Sequence, residues 1–535
     1  MLEYILLVAV LLFALYIYGT WTFDRFKGTI VPYVKPVVLV GNSLKLALRM
    51  ENVIESIGRS YDAFPQSRFV GVFQMRLFSV LLRDPELIRQ VGVKDFDSFT
   101  NHRPFFDVDV EPLFGSSLFA LQDQKWRDMR ATLSPAFTGS KMRLMFEFIV
   151  ECAEQITHYL HQEVNKKGAL DLEVKDLVTK YANDVIATSA FGIKVDSLKD
   201  PENIFYRMGK RVTNFSGVLV SLKFFAFMML PRVMKFFRVS LLDRTCGQFF
   251  RTLVHDTMET REEQGIVRPD MIHLLMQAKK GALQHDAAGD VAHDAGFATV
   301  TESAITKTHT PRRVWSNDEI TGQALLFFLA GFETISTASS FTAYELAINP
   351  DVQKTLQEEI DAVCEELKQS NHKNVDYERL HKMKYLDMVI SEGLRKWPAA
   401  PFTDRVCNNR YLLEDHNGNK YEVKKGETLF ISIYHIHHDE KYYDNPDKFD
   451  PNRFSEENKH NIKPFTYMPF GVGPRNCIGS RFALMEMKAL FFNILKEFDI
   501  VPSEKTQIPL KLAKSAVQMK PENGFWIKLQ PRKIN

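Results

Sequence analysis

The chain has 535 residues, 45% hydrophobic, 25% charged and 12% aromatic, the balance of a folded globular protein with a large core. Disordered, collagenous and polytopic membrane classes are excluded by that balance. Lys plus Arg number 68 against 66 Asp plus Glu, and a formal net charge of +2 provides no gross attraction to nucleic acid. The five cysteines, Cys152, Cys246, Cys364, Cys407 and Cys477, are widely spaced and form no CxxC pair. That argues against a disulfide scaffold or a zinc finger and fits a reducing compartment.

From Tyr4 to Trp21 the chain carries no charge. About 18 apolar residues suffice to cross a hydrocarbon core of about 30 Å with little tilt. Glu3 precedes the run and Arg25 and Lys27 follow it, so the positive-inside rule puts the body on the cytoplasmic side. An uncleaved anchor is favoured over a cleaved signal peptide, because the leading residues are not basic and no small-residue cleavage site follows. Residues 1–22 are therefore read as a membrane anchor, 23–40 as a linker stiffened by Pro32 and Pro36, and 41–535 as one catalytic body.

Alternating apolar residues predict strands near Phe69–Leu82 and near Thr428–Tyr434, while apolar spacings of three and four predict helices through most of the interior. Trp126-Arg127-Asp128-Met129-Arg130 reads as an amphipathic helical turn. Leu222–Phe237, LKFFAFMMLPRVMKFF, is either core or an interfacial dip into a membrane punctuated by Lys223, Arg232 and Lys235. Gly281–Arg313 loses apolar periodicity and is expected to be an exposed, mobile loop.

A long helix is predicted over Asn317–Ile348, opened by a Ser316/Glu319 capping box and closed before Asn349-Pro350. Residues 324–332, ALLFFLAGF, are apolar on all sides, as in a helix through the centre of a large fold. Glu333, Thr334, Ser336 and Thr337 then interrupt it, and a buried Thr can bond back to the carbonyl one turn earlier. Glu392 and Arg395, three residues apart, share a helix face ahead of Trp397-Pro398. Cys477 sits at the mouth of an apolar-periodic helix, behind a turn containing Gly473 and followed by Gly479. A helix amino terminus favours thiolate, although a lone Cys beside glycines is often just a buried apolar residue. The fold class is mostly α with minor β, in a single large unit.

Phe470, Gly473, Arg475, Cys477 and Gly479 spell F-x-x-G-x-R-x-C-x-G, and on these residues the sequence resembles the cytochrome P-450 haem-thiolate monooxygenases. The resemblance implies haem b held by the thiolate of Cys477, the sole metal ligand from the chain, with Arg475 on a propionate and Phe470 against the sulfur. Ala330-Gly331-Phe332-Glu333-Thr334 matches the family's A/G-G-x-D/E-T, which implies a small pair leaving room for dioxygen and proton delivery by Thr334 and Glu333. Ile335 departs from the Thr or Ser often found next. Trp126 and Arg130 match W-x-x-x-R and, with Arg405, would contact propionates; His102-Arg103 lies where one more basic contact is common. Glu392-x-x-Arg395 and Arg453 match the family's buried charge network, with Asn452 standing in place of the usual Glu.

Phe99–Phe105 and the AGFET core resemble microsomal detoxifying enzymes of insects. The implied activity is insertion of one oxygen atom from O2 into lipophilic xenobiotics or endogenous lipids, at the endoplasmic reticulum membrane with the catalytic body cytoplasmic. Electrons would come from an NADPH-dependent flavin reductase, with cytochrome b5 as a further donor. Lys125, Arg127, Arg481 and Lys488 are either a basic docking face or ordinary solvated charge. Phe105, Phe106, Phe114, Phe119, Phe327, Phe328, Phe332 and Phe402 are candidates for an apolar pocket, or core. Two alternatives are a haem-thiolate isomerase or dehydratase needing no external electrons, and a non-haem metal protein built on His435, His437 and His438.

Overall fold

The computed structural model describes residues 1–104, 108–213, 218–240, 243–281, 296–300, 313–515 and 518–532. The elements that carry the argument are helices α1 (Leu2–Thr20), α2 (Asp123–Leu133), α3 (Gly139–Lys167), α4 (Val174–Ser189), α5 (Met271–Lys279), α6 (Asn317–Ile348), α7 (Lys384–Lys396) and α8 (Ser480–Glu497). Four strands form the larger sheet: β1 (Phe69–Gln74), β2 (Leu77–Leu82), β3 (Thr403–Val406) and β4 (Thr428–Ile431). Their order is β1-β2-β4-β3. β1 and β2 form a hairpin, β4 lies parallel to β2, and β3 returns antiparallel with Arg405 opposite Leu429.

α6 threads the centre. Its start is the predicted capping box: Glu319 N–H donates to Ser316 Oγ at 3.2 Å and Ser316 N–H to Glu319 Oε2 at 3.0 Å. Both ends of the orphaned first turn are thereby satisfied. Most of its length is buried against the other helices, and its run of apolar residues serves the core. α1 has the opposite character. It is apolar yet exposed along nearly its whole length, and Leu2–Phe26 is long and apolar enough to cross a membrane.

Two sequence expectations change here. The second strand stops at Ile431 instead of reaching Tyr434, because Ile433–His437 turns into a short helix whose Ile433 and Ile436 pack inward. Of the loop expected over Gly281–Arg313, residues 282–295 and 301–312 lie outside the described residues, but Gly296–Val300 are packed, with Ala298 buried. The ring of Phe297 supplies that packing.

α7 carries the buried charge network. Arg395 grips Glu392 twice, Nε to Oε2 at 2.6 Å and Nη2 to Oε1 at 2.9 Å, and both side chains are wholly buried. Arg453 Nε stands 3.5 Å from Glu392 Oε1, and Asp450 N–H donates to the same oxygen at 2.9 Å. Arg395 also donates to the carbonyls of His437 and Pro446. One guanidinium thus ties α7 to the chain leading toward Cys477. Arg395→Ala leaves the Glu392 carboxylate buried without its bidentate partner, a loss of roughly 3–5 kcal/mol. The expected outcome is a sharp fall in folded protein and in thermal midpoint, measured by circular dichroism.

Candidate active site

The segment Pro469–Gly479 loops across the amino terminus of α8. Gly473 has φ +70°, and a Cβ there would lie 1.7 Å from the carbonyl oxygen of Gly92, so only glycine fits. Cys477 N–H closes the loop onto Phe470 O at 2.9 Å. Cys477 lines a cavity of about 370 Å³ that α6 also lines, through Phe327, Ala330, Thr334 and Ile335. Ala330 and Thr334 are one turn apart in the middle of a core helix, yet both are exposed, because they look into this cavity and not into packed protein. Burial pushes the Cys477 thiol above its ordinary value, while the Gly479 N–H and Arg130 draw it down. Burial is the larger of these influences.

Cations gather along one edge of the cavity. Trp126 and Arg130 on α2 line it, as does Arg475, whose guanidinium stacks 4.2 Å over the Trp126 ring. Arg130 donates to Asn476 O at 2.8 Å and Asn476 Oδ1 at 2.7 Å, and Arg475 to Thr100 O and Leu121 O. Arg405 does not line the cavity. Its Nη2 braces Val472 O at 2.9 Å, and its buried Nε has no hydrogen-bond partner among the described residues. Burial holds Arg405 down to about 10; burial, Arg405 and Arg130 together hold Arg475 well below its ordinary value. His102 lines the same edge, with Nδ1 3.0 Å from Asp404, and burial pushes it down to about 4. Arg103 points elsewhere, to Thr428 and Ser79.

This donor set suits one kind of guest: a flat, apolar group with a thiolate-accepting metal at its centre and acidic substituents at one edge. Sulfur, slot and cations all fit that description.

The two residues expected to handle protons face different ways. Thr334 lines the cavity and bonds back to Ala330 O, the local arrangement its sequence allowed. Glu333 lines a second cavity of about 210 Å³. There Lys175 of α4, a residue that no sequence signal singled out, reaches Glu333 Oε1 at 3.0 Å, Ser336 Oγ at 2.8 Å and Thr337 Oγ1 at 2.7 Å. Burial lowers the Lys175 pKa and Glu333 opposes that shift. Both members of the small pair, Ala330 and Gly331, line the first cavity, and a Cβ at Gly331 would lie 2.3 Å from Ile186 Cδ1, the mobile end of a side chain on α4.

The aromatic and basic candidates divide. Phe119, Phe327 and Phe402 line the first cavity with Phe137 and Phe470. Phe328 and Phe332 turn away into a core cluster with Phe205 and Tyr206, Phe114 lies 6.1 Å from Phe119, and Phe105 and Phe106 lie outside the described residues. Lys488 cannot form a docking face, since it is fully buried and paired with Asp387 at 2.9 Å. Lys125 pairs with Glu319 and Arg127 with Asp97. His437 spends both ring nitrogens on structure, on Arg395 O at 2.9 Å and Met468 N–H at 3.0 Å, which rules out the histidine cluster as a metal centre.

The cytochrome P-450 family model matches residues 31–528. The chain is 46% identical over 530 residues to cytochrome P-450 9e2 of Blattella germanica, covering 97% of this chain and 96% of that one. It is 44% identical over 537 residues to the probable cytochrome P-450 9f2 of Drosophila melanogaster, covering 99% of each, and 36% identical over 512 residues to cytochrome P-450 6k1 of Blattella germanica, covering 95% and 93%. A haem bound through cysteine thiolate is the family's cofactor, which is the guest that this cavity's sulfur and cations describe. The chain belongs to the cytochrome P-450 family and is a monooxygenase of that family.

Proposed function

We propose that Cys477 ligates the haem iron, that Phe470 packs beside its sulfur, and that Trp126, Arg130 and Arg475 hold the propionates while Arg405 braces the loop behind them. The observation that carries this is that Cys477 and Thr334 line one cavity with Trp126, Arg130 and Arg475, and that the other cysteines do not line it. Bound there, a thiolate-ligated haem activates dioxygen, since thiolate donation favours O–O cleavage.

The chain's own residues then bind, orient and supply protons. The walls offered to substrate by Phe119, Leu326, Phe327, Phe402 and Ile433 are apolar, which supports lipophilic substrates, xenobiotic or endogenous. Glu333 collects protons at the second cavity, where Lys175 fixes its carboxylate, and Thr334 presents them at the first; these adjacent residues of α6 join the two cavities.

A membrane setting at the endoplasmic reticulum, with the body cytoplasmic, is supported by the apolar α1 and the basic residues that follow it. The carbonyl of Met229 accepts from Tyr18 Oη at 2.6 Å, so the exit of α1 lies beside an exposed apolar patch of Leu222, Leu230, Val233, Phe236 and Phe237. That patch is suited to dipping into the lipid surface and admitting dissolved substrate. Electrons come from an NADPH-dependent flavin reductase, with cytochrome b5 as a second donor.

Cys477→Ala tests the ligand directly. The reduced, carbon-monoxide-bound parent is expected to show the strongly red-shifted Soret band of thiolate ligation and the variant to lose it; a retained band rejects Cys477 as ligand. Glu333→Gln keeps the shape and removes the proton acceptor, so product formation is expected to fall by about 10²-fold or more with the Soret band unchanged. Thr334→Ala is expected to divert NADPH consumption from product to hydrogen peroxide, measured by comparing the two yields. Lys175→Met is expected to lower turnover in the same direction as Glu333→Gln, because the carboxylate loses the ammonium that orients it.

A further inference from the structure

The connection between α5 and α6 has a described middle, Gly296–Val300, that is seated against the thiolate-bearing half of the fold. Phe297 N–H donates to Asp387 Oδ2 of α7 at 2.8 Å, while the other oxygen of that carboxylate pairs with the buried Lys488 of α8 at 2.9 Å. The Phe297 ring stands 5.0 Å from Phe454 and 5.4 Å from Tyr467, which are themselves 4.9 Å apart, a closed triangle of aromatic contacts. Thr299 N–H returns to Gly296 O at 2.9 Å, making a tight turn. Gly296 has φ +140°, and a Cβ there would lie 1.9 Å from Asp387 Oδ1. Glycine is thus required twice over, by backbone conformation and by contact with the receiving carboxylate.

The cleft that receives this turn leads straight to the cysteine. Tyr467 donates from its hydroxyl to Ser391 O at 3.0 Å and stacks on His437 at 5.6 Å. Met468 N–H donates to His437 Nε2 at 3.0 Å, and Phe470 follows two residues later. Phe454 adjoins Arg453, which reaches Glu392. The Cys477 loop contains Gly471 and Gly473, both at positive φ, so its shape is imposed by neighbours more than by its own stiffness.

We propose that Gly296–Val300 is an intrachain latch: its Gly-Phe turn docks in the cleft of Asp387, Phe454 and Tyr467 and, through Tyr467, positions the loop that carries Cys477. Phe297 is a positioning residue and does not touch the cavity. The latch also fixes the connection's middle to α7, so that the segment between α5 and α6 stabilises the chain leading to Cys477. The spectroscopic consequence rests on Cys477 being the haem ligand; the docking itself does not.

The test uses the full-length holoprotein in detergent, as parent, Gly296→Ala, Phe297→Ala and Phe297→Tyr. Hydrogen exchange of amides in residues 464–470 is expected to rise roughly tenfold or more in the first two variants, as the docked turn is lost, and to stay at the parent rate in Phe297→Tyr. The reduced carbon-monoxide complex of the first two is expected to lose its thiolate-type Soret band several-fold faster on warming, with helical circular dichroism unchanged. Raised exchange confined to residues 296–300, or no rise at all, overturns the proposal. A parent without a thiolate-type spectrum rejects the ligand assignment, and the exchange comparison then decides the latch alone.

Discussion

Three guanidiniums are crowded together, those of Arg130 and Arg475 lining one cavity and that of Arg405 braced behind its loop, and the rest of the site is arranged around that unfavourable concentration of charge. Burial disfavours the Arg405 and Arg475 cations, and Arg405 and Arg130 further depress Arg475. Backbone carbonyls, the Trp126 face and the Asp404 and Asp123 carboxylates relieve part of the strain, but they do not outweigh burial. An anionic guest does. Each arginine is also held by the loop or belongs to it: Arg130 by Asn476, Arg405 by Val472, and Arg475 within it. Filling the cavity with an acidic cofactor and shaping the cysteine loop are therefore one energetic event.

The Glu392–Arg395–Arg453 network does comparable work a layer further out. It uses the same device, a buried guanidinium that spends its donors on one carboxylate and several carbonyls, and it fixes α7 against the chain that turns back toward Cys477. His437 and Tyr467 link the two layers, His437 through both ring nitrogens and Tyr467 through its hydroxyl. The cleft for Phe297 lies where these layers meet.

Much of this was legible in the sequence because the residues concerned are local and chemically restrictive. Gly473 must accept a positive φ and a close carbonyl, the Ser316/Glu319 box must start a helix, and Trp126 and Arg130 lie one turn apart on a helix. What stayed hidden are long-range partnerships between unremarkable residue types. Lys175 reaches Glu333 from a helix more than a hundred residues away, and nothing around it in sequence marks it. Lys488 reads in sequence as a docking or solvated charge, yet it is buried and paired with Asp387. Phe328 and Phe332 share a helix with Phe327 but face other helices, a distinction that an all-round apolar run cannot express. The packing of Gly296–Val300 was masked by composition, since a short docked turn inside a polar, small-residue stretch leaves no periodicity.

Haem binding by the refolded or cofactor-depleted protein, compared between haem and its propionate dimethyl ester, tests the central claim most directly. The ester keeps the iron, the ring and the apolar faces and removes only the negative edge. If the buried cations exist to be neutralised, haem binds far more tightly than the ester, and Arg130→Ala narrows the difference. Equal affinity for the two would contradict the account, because the cation cluster would then have no part in holding the group that Cys477 faces.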